Sequence, residues 1–189
     1  MIKKKTFWSS SLFRNFSIVG LWTLASRVLG FARDILMANF LGASAIAEAF
    51  MIAFSLPNMF RRLFAEGAFN TAFIPMFAKK VSNISHASKF ASDSFTVLLI
   101  LILTTTALAE IFMPLLVFMM ASGFTEDARF SYTVGFGRVM FPYIVLISIS
   151  AFFGGILNTF NKFGVTAAAP LILNILFIAA LLLAYFFNL

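Results

Sequence analysis

The stretch FGVTAAAPLILNILFIAALLLAYFFNL, residues 163–189, contains no charged residue. A helix that crosses the hydrocarbon core of a bilayer needs about 20 consecutive, predominantly apolar residues. Residues 139–161 form a second run without charge, and residues 95–120 form a third that is interrupted by Glu110 alone. These three runs predict an all-α protein that crosses a membrane several times.

The composition points in the same direction. Of the 189 residues, 61% are hydrophobic, 27 are Phe and only 11% are charged, whereas soluble domains are about 45–50% apolar and about 25% charged. The chain has no Cys, which excludes disulfides and thiolate metal sites. Its one His, His86, lies in the polar stretch KKVSNISHASK without a second His or Cys nearby. We therefore read His86 as a loop residue and predict neither a metal site nor a cofactor.

Two earlier apolar segments, residues 15–41 and 45–78, are broken by charged residues. With them the chain has about five predicted spans, of which the second is irregular. Proline removes a backbone donor and disfavours a helical residue before it. We therefore expect helix breaks in this span at Pro57, Asn58, Gly67 and Pro75. Within a bilayer, a broken helix is tolerated only against protein or a water-filled cavity, and the neighbouring charges favour a cavity lining over a simple kink.

The distribution of basic residues predicts the orientation. Eight of them fall on one side of the predicted spans: Lys3, Lys4, Lys5, Arg14, Lys79, Lys80, Lys89 and Lys162. The opposite side has Arg129 alone. Since cytoplasmic loops carry an excess of Lys and Arg, residues 1–14 are predicted to be a basic cytoplasmic N-terminus that precedes one transmembrane lobe, residues 15–189. The same bias accounts for most of the net charge of +7 and argues against nucleic-acid binding.

Five arginines remain within or beside the spans: Arg27, Arg33, Arg61, Arg62 and Arg138. A charge at the bilayer centre costs about 2.5–3.5 kcal/mol even on insertion scales, so most of these groups must be paired, hydrated or close to an interface. Arg62 and Glu66 are four residues apart, which predicts a structural ion pair. Asp34 lies two turns from Arg27, at a reachable distance, and Arg138 can extend to the interface. Glu110 is either protonated or directed into a cavity.

The excess of arginine over acid predicts an anionic ligand. Arg33 and Arg61 have no obvious partner in the sequence, and the planar guanidinium donates two parallel hydrogen bonds to phosphate. A lipid-linked phosphate or pyrophosphate would suit both these arginines and the apolar surroundings. The chain contains no G-x-S-x-G, no H-E-x-x-H and no phosphate-cradling glycine loop. We therefore predict that it is not an enzyme.

Four segments closely resemble the MurJ/MviN family: SRVLGFARD, LPNMFRRLFAEGAFNTAFIPMF, FPYIVLISISAFFGGILNTFNKF and AAPLILN, residues 26–34, 56–77, 141–163 and 168–174. These are proposed lipid II flippases of the bacterial inner membrane, within the multidrug/oligosaccharidyl-lipid/polysaccharide exporter superfamily. The resemblance implies two pseudo-symmetric lobes around a central cavity and transport by alternating access. This chain resembles most of the N-terminal lobe, so the C-terminal lobe, lipid II and membrane lipids are its implied partners.

The resemblance also implies site residues. The family's cavity arginines match Arg27, Arg33 and Arg61, which would bind the pyrophosphate of lipid II, and Ser26 matches the small polar residue beside them. Glu48 replaces the family's usual Asp and would be a gate or counter-charge for these arginines, as Asp34 would be for Arg27. Two alternatives remain open: an exporter of another substrate in the same superfamily, and a non-transporting membrane scaffold for cell-wall assembly.

Overall fold

The computed structural model describes residues 10–62 and 68–187, which are almost entirely helical and contain no strand. The all-α prediction is confirmed. The helices, numbered in chain order, are α1 Ser10–Leu41, α2 Ala45–Arg61, α3 Ala68–Lys80, α4 Ile84–Ile111, α5 Met113–Met120, α6 Ala128–Met140, α7 Tyr143–Thr159 and α8 Phe163–Phe186, with a short 3-10 helix, Ser122–Phe124, before α6.

Three of the described segments are long and apolar enough to cross a membrane: Ile84–Ile111, Ala128–Thr159 and Phe163–Phe186. They correspond to the last three of the predicted spans, and they make the chain a multi-pass membrane protein. Helix α1, with 32 residues, is as long as the longest of them but contains Arg27, Arg33 and Asp34. The total of five spans stays a prediction.

The breaks in the helices differ from those expected. Helix α2 continues through Pro57 and Asn58, and α3 continues through Pro75, so the breaks predicted at these residues are wrong. Pro57 is fully buried, and the amide Nδ2 of Asn58 donates to the carbonyl of Phe54 at 2.9 Å. The buried packing of Pro57 thus accommodates the proline within α2, although its ring removes the donor that would pair with the Ala53 carbonyl. The second predicted span is interrupted instead after Arg62. Glu66 and Gly67 lie outside the described residues, and so does the predicted pairing of Arg62 with Glu66.

Further breaks occur where none was predicted. Phe112 separates α4 from α5, and Pro142 lies between α6 and α7. Conversely, the polar stretch before the third predicted span is helical, because the side chain of Asn83 accepts from the backbone N–H of His86 and caps α4. His86 therefore lies in the first turn of α4, and its placement in a loop is wrong.

The chain divides into two compact units. The first contains α1 and α8, and the second contains α2 to α7. In the second unit, α2 packs closely on α6 and buries Ala49, Ala53 and Leu56, which share one helical face. The rings of Phe73 and Phe152 lie 4.9 Å apart within a second core cluster, formed by α3, α4 and α7. This unit is thus held together by extensive apolar packing.

In the first unit, α1 and α8 run parallel. Gly164, at the start of α8, lies beside Ile18 of α1, and Asn174, further along α8, hydrogen-bonds with Ser26 and Arg33. If the chain crosses the membrane five times, its first and last spans must run in the same direction, as α1 and α8 do. Most of α8 is exposed, and Asn174 is its buried residue.

Candidate functional site

Arg33, in α1, is bound on two sides. Its Nε and one terminal nitrogen donate to the same carboxylate oxygen of Asp34, at 3.0 and 2.8 Å, and the other terminal nitrogen donates to the amide oxygen of Asn174 at 3.1 Å. The guanidinium also lies 5.6 Å from the centre of the Phe177 ring. The Arg33 side chain is only 20% exposed, whereas that of Asp34 is 61% exposed. Asp34 is therefore the counter-charge of Arg33, its neighbour, and not of Arg27 as expected.

Asn174 is the residue that the sequence analysis missed. It is 7% exposed, and its Nδ2 donates to the backbone carbonyl of Ser26 at 2.8 Å and to the Ser26 hydroxyl at 3.3 Å. Ser26, Gly30 and Arg33 lie on one stripe of α1, four and three residues apart, and all face Asn174. An amide side chain in the middle of a charge-free apolar helix was the signal that could have revealed it.

Arg27 lies on a different face of α1. At 3.6 residues per turn, Arg27 and Arg33 point about 120° apart around the helix axis. Arg27 is exposed and lines a shallow groove of about 310 Å³ together with Val19, Gly20, Thr23 and Leu24. The structure therefore brings Ser26, Arg33 and Asp34 together at Asn174, and leaves Arg27 on an open, largely apolar surface.

Glu48 and Arg61 belong to the second unit and occupy opposite ends of α2. Thirteen residues of helix separate them by about 20 Å, so Glu48 is not the counter-charge of Arg61. Its carboxylate accepts instead from a terminal nitrogen of Arg129, at 2.6 Å. The neighbouring Arg62 caps the end of α2, and its backbone N–H donates to the carbonyls of Asn58 and Phe60.

Arg129 lies at the centre of a second polar cluster. Its Nε donates to Asp127 at 2.6 Å, and its guanidinium lies 4.4 Å from the centre of the Phe124 ring. Asp127 caps α6 by accepting from the backbone N–H of Arg129 at 2.8 Å. This backbone hydrogen bond and the hydrogen bond from the guanidinium hold the pKa of Asp127 below its ordinary value.

Helix capping positions this second cluster. The hydroxyl of Ser44 accepts from the backbone N–H of Ala47 and begins α2, which places Glu48 in the first turn. Asp127 does the same for α6, and because α2 and α6 run parallel, their first turns meet. The first turns that carry Glu48 and Arg129 are therefore in direct contact.

Glu110, in α4, is half-buried, and its Oε1 has no hydrogen-bond donor among the described residues. Arg138, in α6, is exposed and close enough to act on Glu110 electrostatically. Within residues 10–62 and 68–187, no group of three or more His, Asp or Glu side chains could hold a metal ion.

The chain resembles proteins of one family. A family model described as "Lipid II flippase MurJ" matches residues 37–186. A protein of Rhizobium tropici named "Probable lipid II flippase MurJ" is 46% identical over 182 residues, which cover 94% of this chain and 34% of that protein. The "Lipid II flippase MurJ" of Burkholderia cenocepacia is 42% identical over 173 residues, which cover 90% and 34% of the two chains.

A more distant relative, the "Probable lipid II flippase MurJ" of Treponema pallidum, is 36% identical over 187 residues, which cover 95% of this chain and 34% of the relative. The chain thus spans about a third of the length of the curated relatives that it matches. No solved structure matches it at a significant level.

Proposed function

This chain belongs to the lipid II flippase MurJ family, and we propose that it forms part of a flippase that carries lipid II across the bacterial inner membrane. It would contribute most of an N-terminal lobe, and the rest of the full-length protein would supply the opposite wall of the transport cavity. Flipping requires no covalent chemistry. The site has to attract a pyrophosphate head group and present it to alternate sides of the membrane.

The observation that carries this proposal is the position of Arg27. Its guanidinium is exposed on a groove whose other lining residues include Val19, Gly20 and Leu24. A guanidinium in apolar surroundings suits a ligand with a phosphate group and a hydrocarbon tail, because the reduced dielectric strengthens a charge-assisted hydrogen bond. Arg27 would therefore make the first contact with the pyrophosphate.

Arg33 would act after that contact. Its charge is balanced by Asp34, whose side chain is largely exposed. An arriving pyrophosphate would replace the carboxylate as acceptor, so that Asp34 serves as a counter-charge while the site is empty. Ser26 would line the same site, and Arg61, in the second unit, stays a predicted ligand of the pyrophosphate.

The proposed orientation places the N-terminus in the cytoplasm. The eight basic residues of that side contrast with Arg129 on the other, and Arg129 is bound by Glu48 and Asp127. Glu48 would act as a counter-charge for Arg129 through this contact, which joins the first turns of α2 and α6.

The two alternatives make different demands on the arginines. A non-transporting scaffold would pair Arg27, Arg33 and Arg61 with carboxylates and close them off from any cavity, but Arg27 lines an open groove. An exporter of cationic drugs would be opposed by the repulsion between the drug and these arginines.

The test uses a full-length flippase that carries this segment, either from its own reading frame or as a graft onto the remaining two thirds of the Burkholderia cenocepacia relative. The graft must first support growth of a strain depleted of its own flippase. Arg27→Ala should then abolish complementation while the protein remains in the membrane. It should weaken binding of undecaprenyl pyrophosphate by about tenfold or more. Arg138→Ala, which removes an exposed arginine from α6, is the matched control and should leave both measurements unchanged.

Substitution by Lys tests the mechanism. If Lys at Arg27, Arg33 and Arg61 supported growth as well as Arg, bidentate binding of phosphate would be the wrong mechanism. If Arg27→Ala neither impaired growth nor weakened binding, the proposed site itself would be wrong. A complementing protein that preferred cationic drugs to the pyrophosphate lipid would identify another exporter of the superfamily.

A further inference from the structure

Asn174 is a polar residue at the one position where α8 is buried. An amide that is removed from water is strongly disfavoured unless its hydrogen bonds are restored. The Asn174 amide restores them with α1 alone, through the carbonyl and hydroxyl of Ser26 and the guanidinium of Arg33. The burial of Asn174 is therefore favourable only because Ser26 and Arg33 supply its hydrogen bonds.

The orientation of the amide is fixed by its partners. A guanidinium can only donate hydrogen bonds, and a backbone carbonyl can only accept them. A half-turn of the Asn174 side chain would bring its NH₂ group against Arg33 and its oxygen against the Ser26 carbonyl, and both contacts would become repulsive. The side chain thus has one favourable orientation, in which Oδ1 points at Arg33.

Gly30 provides the space for this arrangement. A Cβ atom at Gly30 would lie 3.4 Å from Nδ2 of Asn174, which is ordinary van der Waals contact, and a larger side chain would push the amide away. Arg33 in turn uses three of its five N–H groups in the hydrogen bonds with Asp34 and Asn174. Among the described residues, these bonds fix the direction of the guanidinium and leave two N–H groups for a ligand.

We infer that Asn174 is a positioning residue, which aims the Arg33 guanidinium from α8 for the binding of the pyrophosphate. This inference rests on the proposed function. Asp34 shares the charge of Arg33 and can be replaced by an anionic ligand. Asn174 carries no charge, does not compete with that ligand, and keeps Arg33 in place during the exchange.

The test compares three substitutions in the same full-length flippase, with undecaprenyl pyrophosphate as the probe. Asn174→Asp keeps an acceptor for Arg33 but adds a second negative charge and loses the donor to Ser26. It should reduce affinity for the probe by about three- to tenfold, while its new ion pair with Arg33 offsets part of the stability that is lost at Ser26. Asn174→Leu should lower both affinity and melting temperature. Leu176→Ala, the matched control, removes a 62% exposed side chain from α8 and should leave the affinity unchanged.

A double-mutant cycle separates positioning from a general structural role. If Asn174 acts through Arg33, then Asn174→Asp should have no further effect on affinity in an Arg33→Ala background. Additive effects in the cycle would overturn the inference. The inference would also be overturned if Asn174→Asp kept full affinity for the probe while Arg33→Ala lost it. If Arg33→Ala itself left the affinity unchanged, the proposed pyrophosphate site would fail together with the inference.

Discussion

Arg33 and Arg129 are both bound by a nearby acid and by a second residue from a distant part of the chain. For Arg33 the acid is Asp34 and the second residue is Asn174, and for Arg129 they are Asp127 and Glu48. The difference lies in the second partner, which is a neutral amide in one case and a carboxylate in the other. One acid balances the charge of Arg33, whereas two acids more than balance that of Arg129.

This difference separates a binding residue from a structural one. An arginine that exchanges a single counter-charge for an anionic ligand keeps its charge balanced throughout, and the neutral Asn174 does not interfere with the exchange. An arginine between two carboxylates has little to gain from a third anion. We therefore expect Arg33 to respond to ligand, and Arg129 to join α2 and α6 whether ligand is present or not.

The two units also differ in the contacts that hold their helices together. The first joins α1 to α8 through polar contacts at Asn174, and most of α8 is exposed. The second has a packed core in which aromatic rings meet at about van der Waals distance. Its stability should therefore depend on packing far more than on the ion pairs of Arg129, which lie at the surface.

The largest effect is expected from Phe152→Ala in the second unit. Phe152 is 2% exposed, and the centre of its ring lies 4.9 Å from that of Phe73 and 5.1 Å from that of Phe95. Loss of a buried Phe costs about 3–5 kcal/mol in soluble cores. We expect the lower end of this range, because lipid replaces part of the apolar environment and mainly packing is lost. Temperature-dependent size-exclusion chromatography in detergent would measure the shift.

Phe153→Ala is the control for this prediction. Phe153 follows directly in α7 but is 50% exposed, so its removal should produce a much smaller shift. Equal shifts for the two substitutions would mean that packing around Phe152 does not hold the second unit together, and the contrast between the units would be lost.

A smaller effect is expected from Gly137→Ala, which tests how closely α5 and α6 pack. A Cβ atom at Gly137 would lie 2.7 Å from the sulfur of Met113, which is fully buried. Met113 would have to move, and overpacking of this kind costs about 1–3 kcal/mol. The melting temperature in detergent should fall accordingly, and Met113→Ala should restore part of the loss in the double variant.

Gly135→Ala, in the same helix, is the matched control. No atom lies within 4 Å of a Cβ atom at Gly135. Because Ala favours helix over Gly by about 1 kcal/mol, this substitution should be neutral or stabilising. If both substitutions destabilised the protein equally, the effect would arise from α6 itself and not from the contact with Met113.

The sequence predicted those features that depend on composition and local pattern. Long apolar runs were sufficient for the all-α membrane fold, and the position of Arg27 within α1 followed from the same pattern.

Features that depend on contacts between helices could not be predicted in this way. Asn174 hydrogen-bonds with residues about 140 positions earlier, and no local pattern specifies such a partner. The same holds for Glu48, which was expected to face the arginines of the cavity but binds Arg129. Pro57 was expected to end a helix, yet α2 continues through it where its ring is fully buried.

The smallest effect is expected from the acids around Arg129, where pH and salt test its role as a structural link. Because the folded-state pKa of Asp127 is lowered from 3.8, its ionised form stabilises the fold above about pH 4, and this contribution is lost as the pH falls through the lowered value. The difference in melting temperature between the unmodified protein and Asp127→Asn should therefore be constant at neutral pH and vanish in acid. Glu48→Gln should cause a slight loss of stability that high salt removes, and Glu126→Gln, an exposed control, should cause none. If the effect of Glu48→Gln on stability depended on ligand, Arg129 would not be purely structural. It would then respond to the ligand, as Arg33 is expected to do.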